Sequence, residues 1–301
     1  MIDFFGKKTA VALGTFDGLH RGHMSVIHKA VIQKDNGLLP VILLFSEHPM
    51  RVLTGSAPGE LFTGKIKQRE IEKTGCVPYE IRFSDIRDMS PEEFFWDILI
   101  NRLNVGFISC GFNFRFGKNG SGNTEIISGL CKKYGVELSV CGEVDYGSEC
   151  ISSTRIRKAL TDGDMKTANQ MLGRYFSYDF EVVTGDRRGG PTLGFPTINQ
   201  FFSENFIVPK FGVYASISFV DGKWYPSMTN IGIRPTIGNS APRSETHIFG
   251  FSGDLYGTNT EVALIAYVRS EMKFDSLDAL KAQMQKDRKN TLEILESEGL
   301  G

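Results

Sequence analysis

Two histidines three residues apart close the run Gly14-Thr15-Phe16-Asp17-Gly18-Leu19-His20-Arg21-Gly22-His23. An apolar segment precedes the run and an amphipathic one follows it. It therefore reads as a strand, a glycine-rich turn and a helix N-terminus. Such a terminus presents free N–H groups and the positive end of the helix dipole, a natural seat for phosphate. Gly14 and Gly22 let the backbone come close to that anion. His20 and His23 can both face it and donate hydrogen bonds as charge builds up in group transfer. A second constellation is Ile151-Ser152-Ser153-Thr154-Arg155-Ile156-Arg157. Ser153 and Thr154 at a helix start can donate to phosphates, and Arg157 can neutralise them. A third is Thr197 with Asn199. Residues two apart on an extended chain share a face. A hydroxyl and an amide there suit Mg²⁺ and phosphate as hard oxygen donors.

The elements that must position these residues differ between the two halves. In the first half, Thr9 to Leu13, Pro40 to Phe45 and Val105 to Cys110 are apolar on consecutive positions. That is the pattern of parallel strands covered on both faces. Helical segments lie between them. Met24, Ile27 and Val31 share a helical face, and Ser90-Pro91-Glu92-Glu93 carries a capping box with proline at the first position. Strand and helix in alternation predict a Rossmann-like α/β domain. After about Tyr178 the period becomes two. Tyr178, Phe180 and Val182 form one set. Val213, Ala215, Ile217 and Phe219 form another and run into the hairpin signal Asp221-Gly222. Val262, Leu264, Ala266 and Val268 form a third. These predict a small antiparallel β-barrel. A terminal helix follows, with Asp275 as N-cap and Leu277, Leu280 and Met284 on one face. The halves are expected at 1–168 and 169–301.

Composition limits the function classes. The chain has 301 residues, 41% hydrophobic and 23% charged, with a net charge of −1. That is globular and large enough for two cores. It gives no reason to expect a nucleic-acid or membrane surface. The longest apolar run, Val41 to Phe45, is far shorter than a membrane span. Met1-Ile2-Asp3 lacks the start of a secretory signal. The five cysteines, Cys76, Cys110, Cys131, Cys141 and Cys150, form no C-x-x-C pair. They read as idle thiols in a reducing cytoplasm. An oligomer is possible and nothing indicates one.

The first run resembles G-x-F-D-G-x-H-x-G-H, the signature of nucleotidyltransferases that join a nucleoside monophosphate from an NTP to a phosphate acceptor. The loop by itself leaves the acceptor open, because cytidylyltransferases and pantetheine-phosphate adenylyltransferases carry related loops. Other segments narrow the choice. Phe45-Ser46-Glu47-His48-Pro49 resembles F-x-P-H-P, with Glu47 in place of proline. Gly111-Phe112-Asn113-Phe114-Arg115-Phe116-Gly117 resembles G-x-[DN]-F-x-F-G, and Ile151 to Arg157 resembles I-S-S-T-x-I-R, preceded here by Cys150. Gly194-Phe195-Pro196-Thr197-Ile198-Asn199 resembles the riboflavin kinase signature G-F-P-T-x-N. The flap before it reads Gly190-Pro191-Thr192 where Gly-Arg is usual. Gly212-Val213-Tyr214, Asn230 to Thr236, Glu245-Thr246-His247 and Asp254-Leu255-Tyr256-Gly257 follow in family order.

Together these motifs are similar to those of the bacterial bifunctional riboflavin kinase/FMN adenylyltransferase family, the FAD synthetases. The resemblance implies that riboflavin is phosphorylated from Mg-ATP in the barrel, and that FMN is then adenylylated by a second ATP in the first domain, giving FAD and pyrophosphate. It implies that His20 and His23 are catalytic at the adenylyl site. Gly14, Phe16, Gly22, Asn113, Ser153, Thr154 and Arg157 would bind nucleotide or phosphate. At the kinase site Gly194, Thr197 and Asn199 would hold ATP, with Thr197 and Asn199 reaching Mg²⁺ through its phosphates. Glu245 maps to the catalytic base, and His247 to packing or hydrogen bonding. Small molecules are the expected partners. Two rival readings remain. One is a barrel that only senses flavin, which predicts damage at Thr197, Asn199 or Glu245; all three are intact. The other is a nucleotidyltransferase for a different acceptor, against which the G-F-P-T-I-N segment argues.

Overall fold

The computed structural model describes residues 6–184, 197–233 and 241–300. The chain forms two compact units, Met1–Pro58 with Lys67–Ser152, and Gly59–Ile66 with Ser153–Gly301.

The first unit is a parallel α/β sheet. Its elements are β1 (Thr9–Leu13), α1 (Arg21–Val31), β2 (Leu39–Phe45), α2 (Pro49–Thr54), α3 (Gly64–Thr74, whose first turn counts with the second unit), β3 (Val77–Ile81), α4 (Phe83–Ile86), α5 (Pro91–Glu93), β4 (Val105–Gly111), α6 (Thr124–Tyr134) and β5 (Glu137–Cys141). The strand order is β3-β2-β1-β4-β5, parallel throughout. All five residues of β1 are buried, as a central strand with helices on both faces requires. The order reverses between β1 and β4, so their carboxyl ends flank the switch point where open α/β sheets bind ligands. The chain from Ser90 has the expected capping box, with Ser90 accepting from the Glu93 amide. It then widens into a π-helical stretch, Phe94–Arg102, carrying the fully buried Phe95, Ile98 and Leu99. On α1 the buried residues are Val26, Ile27 and Ala30, while Met24 is exposed. The inward stripe is thus rotated from the expected Met24–Ile27–Val31 set. A short hairpin, β6 (Asp145–Tyr146) with β7 (Glu149–Cys150), ends the unit.

The second unit contains α7 (Ser153–Asp162), α8 (Met165–Leu172), β8 (Phe176–Tyr178), β9 (Ile198–Phe201), β10 (Gly212–Val220), β11 (Lys223–Gly232), β12 (Arg243–Ile248), β13 (Glu261–Arg269) and α9 (Leu277–Ser297). The antiparallel order is β8-β13-β10-β11-β12-β9. The chain beyond β8 meets β9 through a bridge between Val183 and Asn199, bringing the two edges of the sheet together. One face packs under α9, with Ala215, Ile217, Ala263, Ile265 and Leu295 in contact. The other carries a hydroxyl network of fully buried residues: Ser216 with Thr229, Thr229 with Thr246, and Ser227 with Ser218, each at 2.8 Å.

Two expectations need correction here. Val262, Leu264, Ala266 and Val268 do not share a face. Leu264 pairs with Ser216 but Ala266 pairs with Ala215, so Ile265 is an extra residue and the later residues change sides. The N-cap of α9 is Ser276, not Asp275, because the helix starts one residue later and the Ser276 side chain accepts from the Ala279 amide. Leu277 is accordingly exposed, and the inward face is Asp287, Thr291 and Leu295.

Candidate active sites

The first site lies at the carboxyl end of β1. Phe16 and Leu19 hold φ of 47° and 40°, a region that bulky side chains rarely enter, yet both are buried. Such strain persists where the surroundings fix it, and it gathers at functional sites. It carries the chain through a tight turn into α1. His20 is the N-cap, and its Nδ1 accepts from the His23 amide at 3.3 Å. Gly22 has a local reason to be glycine. A Cβ there would stand 3.2 Å from His20 ring atoms.

The two imidazoles stack, and the edge of Phe16 supports His23 with ring centroids 5.5 Å apart. His23 Nδ1 is buried and has no hydrogen-bond partner. Burial, and then the neighbouring His20, hold the His23 pKa well below its ordinary value. A neutral imidazole with an unsatisfied ring nitrogen at a helix N-terminus is fitted to hydrogen-bond an anion.

The second loop of the switch point follows β4. Asn113 is exposed and its Oδ1 would stand 3.3 Å from a Cβ on Gly111. Phe112 is exposed, so it offers a stacking face. Phe116 is buried, and Phe114 stacks on it. Those two rings pack the loop. Glu47, which replaces a proline of the motif, accepts from the amide and hydroxyl of Ser84 at 3.0 and 2.7 Å. These bonds hold its carboxyl below the usual range. The departure thus has a structural partner.

Burial pushes the Cys110 thiol up to about 12 and the Cys131 thiol to about 11. Glu143, Asp145 and Cys150 bring three donor atoms within 4.8 Å of one another, an arrangement that sequence spacing did not suggest.

In the second unit, Ser153 and Thr154 occupy the first turn of α7. Arg157 Nε donates to the Gly59 carbonyl at 2.7 Å, so part of that guanidinium is committed to the main chain. Gly194 and the segment Arg234 to Thr236 lie outside the described residues.

The kinase-type residues assemble on the sheet. Glu245 on β12 is directly opposite Asn199 on β9 and Asn230 on β11. Opposed residues share a face, so the two amides flank the carboxylate in one row. Asn199 is buried and the Glu245 side chain is 17% exposed. Arg243, two residues before Glu245 and on the same face, gives it an ion pair at 3.0 Å. His247, two residues after, packs edge-on against Phe249. Asn230 stood in a quoted motif without a role, and Arg243 was missed. The period of two around Glu245 was the available signal for Arg243.

Two family models match the chain, FAD synthetase over residues 5–155 and riboflavin kinase over residues 172–295. Curated relatives cover nearly all of it. The bifunctional riboflavin kinase/FMN adenylyltransferase of Bacillus subtilis is 35% identical over 95% of this chain and 92% of its own. That of Escherichia coli is 33% identical over 92% and 90%. The chain belongs to this bifunctional family. It is a riboflavin kinase and FMN adenylyltransferase, an FAD-making enzyme. The crystal structure of a macrolide-efflux protein from Streptococcus pneumoniae also shares the fold. It is 29% identical, with a TM-score of 0.87 over 95% of this chain and 94% of that one. Among the described residues, no helix is long and apolar enough to cross a membrane.

Proposed function

We propose that this bifunctional enzyme phosphorylates riboflavin in the second unit, on the face that bears Asn199, Glu245 and Asn230, and adenylylates FMN in the first unit, at the β1–β4 switch point. The observation that carries the kinase half is the row of Asn199, Glu245 and Asn230 across three strands. Glu245 takes the proton of the ribityl 5′-hydroxyl as that oxygen bonds to the γ-phosphorus of ATP. The bond to the β-γ bridging oxygen breaks and ADP leaves. Asn199 lies opposite this carboxylate and Thr197 two residues before Asn199; their neutral hard oxygens form a donor set that fits Mg²⁺ bound through ATP phosphates. The ion, when bound, offsets charge on the transferring phosphoryl group.

In the first unit an FMN phosphate oxygen bonds to the α-phosphorus of a second ATP, and the bond to pyrophosphate breaks. His20 and His23 donate to the phosphates, while Gly14 and Gly22 let the main chain approach. Phe16, being buried, acts by supporting His23. Asn113 and Phe112 face the nucleotide or flavin from the β4 loop. Ser153, Thr154 and Arg157, at the start of α7 in the second unit, are proposed as phosphate ligands on the likeness of their motif alone. No protein nucleophile is required, since both steps depend on position and charge. The cytoplasm is the proposed location.

The test is to incubate the protein and its Glu245→Gln variant with ATP, Mg²⁺ and either riboflavin or FMN, and to separate the flavins by chromatography. The parent gives FMN and FAD from riboflavin. The variant loses FMN formation by about 10²-fold or more, yet converts supplied FMN to FAD. Undiminished FAD from riboflavin would remove Glu245 as the base.

A further inference from the structure

The geometry points to Arg243 as a positioning residue for the kinase step, holding the Glu245 carboxylate in the orientation that accepts the substrate proton. This rests on the reading of Glu245 as the base. Arg243 Nη2 and Glu245 Oε1 are 3.0 Å apart, with side chains only 10% and 17% exposed. At this burial an ion pair is little screened by solvent, so it constrains both partners more than a surface pair does.

The guanidinium also lies against an aromatic ring. Its strand partner on β9 is Phe201, over whose ring it lies at 6.0 Å. Its strand partner on β11 is Gly232, which presents no side chain. The Glu271 carboxylate lies over Gly232, where a Cβ would collide with it. Arg243 thus reaches Glu245 Oε1 along the same face of β12.

A largely buried cation on Oε1 restrains rotation of the carboxylate about its Cγ–Cδ bond. Asn199 and Asn230 flank Glu245 across the strands but are neutral. Among the residues of this row, the orienting charge comes from Arg243. A misplacement of about 1 Å in such a group can cost about 10²-fold in rate. The expected loss therefore falls on kcat, because the substrates still bind.

Three variants are measured side by side for FMN formation, at varied riboflavin and varied Mg-ATP: Arg243→Met, Arg243→Lys and Glu245→Gln. Expected is a fall of about 10-fold to 10²-fold in kcat for Arg243→Met, with both KM values within about two-fold of the parent. Arg243→Lys, which can still place a cation near Oε1, should regain most of that loss. FAD formation from supplied FMN stays unchanged in all three. Parent-like kcat in Arg243→Met, with Glu245→Gln inactive, overturns the inference and leaves the base in place. Parent-like activity in Glu245→Gln overturns the reading on which it rests. An unchanged kcat with a raised KM for Mg-ATP makes Arg243 a phosphate ligand instead and also overturns it. If both arginine variants lose activity in step with a lower melting temperature, the residue is structural and the inference fails.

Discussion

His20 and His23 stack with ring centroids 3.6 Å apart and planes 16° from parallel. His20 Nδ1 accepts the His23 amide proton, so a neutral His20 carries its own proton on Nε2. Two imidazolium ions at this separation would repel, which agrees with the lowered basicity of His23. On the proposed reading the pair meets the phosphates as directed hydrogen-bond donors, with burial keeping His23 neutral. Replacing His23 with Ala removes one donor at the transferring phosphates. FAD formation from FMN should fall by about 10²-fold or more, with FMN formation from riboflavin near the parent rate. Equal loss of both activities in a folded protein would contradict separate sites.

The same burial makes a stability prediction. The folded pKa of His23 lies below the free value of 6.5. Well above 6.5, folded and unfolded chains both hold the ring neutral. Below it, the unfolded chain binds a proton that the folded chain does not. Stability should therefore fall as pH drops from 6.5 toward the folded value. Thermal unfolding at about pH 7.5 and about pH 5.5 checks this against His23→Asn, which cannot titrate. The parent's melting temperature should drop more across that interval than the variant's. Equal drops would mean that His23 protonates freely when folded.

Much of this was legible in the residues. Consecutive apolar positions in Thr9 to Leu13 required a strand covered on both faces, and β1 is that strand. The block Gly14 to His23 declared its turn and helix start. The order of strands did not show, because parallel pairing joins distant segments, so the meeting of the β1 and β4 loops needed the structure. Alternation misled in the barrel. Ser216, Thr229 and Thr246 look like outward positions, yet they are fully buried because each hydroxyl finds a partner across the strands. The extra residue Ile265 is invisible to a pattern of period two. Glu60 also gave no local signal. Its amide donates to Asn205 at 2.7 Å and its carbonyl accepts from Ile207 at 3.1 Å, pairings set by tertiary packing alone.

Helix α9 is tied to the sheet by a charge pair that should dominate its docking. Asp287 is 1% exposed and accepts from Arg269 Nε at 2.9 Å and from Nη2 at 2.6 Å, with Gln283 as a further donor at 2.7 Å. Asp287→Ala leaves the Arg269 guanidinium, only 19% exposed, without its carboxylate. It should destabilise the second unit by about 3–5 kcal/mol. The double variant Arg269→Met with Asp287→Leu should cost less than the single change, since it leaves no unpaired charge. Denaturant unfolding of the three proteins decides. A single variant as stable as the parent would show that the pair contributes nothing to docking.

A fragment beginning at Asn169 carries every kinase motif, and on motifs alone it should phosphorylate riboflavin and stop at FMN. Packing separates it from a fragment beginning at Ser153. Asn169 is buried. Its side chain donates to the Leu264 carbonyl at 3.0 Å and accepts from the Phe176 amide at 2.8 Å. Those bonds need the residue held at its place in α8. A start at Asn169 deletes the first half of that helix and all of α7, including the buried Ile156, Leu160, Met165 and Ala168. A buried large apolar side chain contributes about 1.5–3 kcal/mol, so the loss is comparable with the whole stability of a small domain. Both fragments lack Gly59–Ile66, so that segment does not distinguish them. The 153–301 fragment should therefore fold, make FMN and make no FAD. The 169–301 fragment should melt at a clearly lower temperature and lose kinase activity on mild warming. Melting curves, with FMN formation followed over the same temperatures, provide the comparison. Equal stability of the two would show that α7 and α8 are dispensable to the barrel and place the working boundary at residue 169.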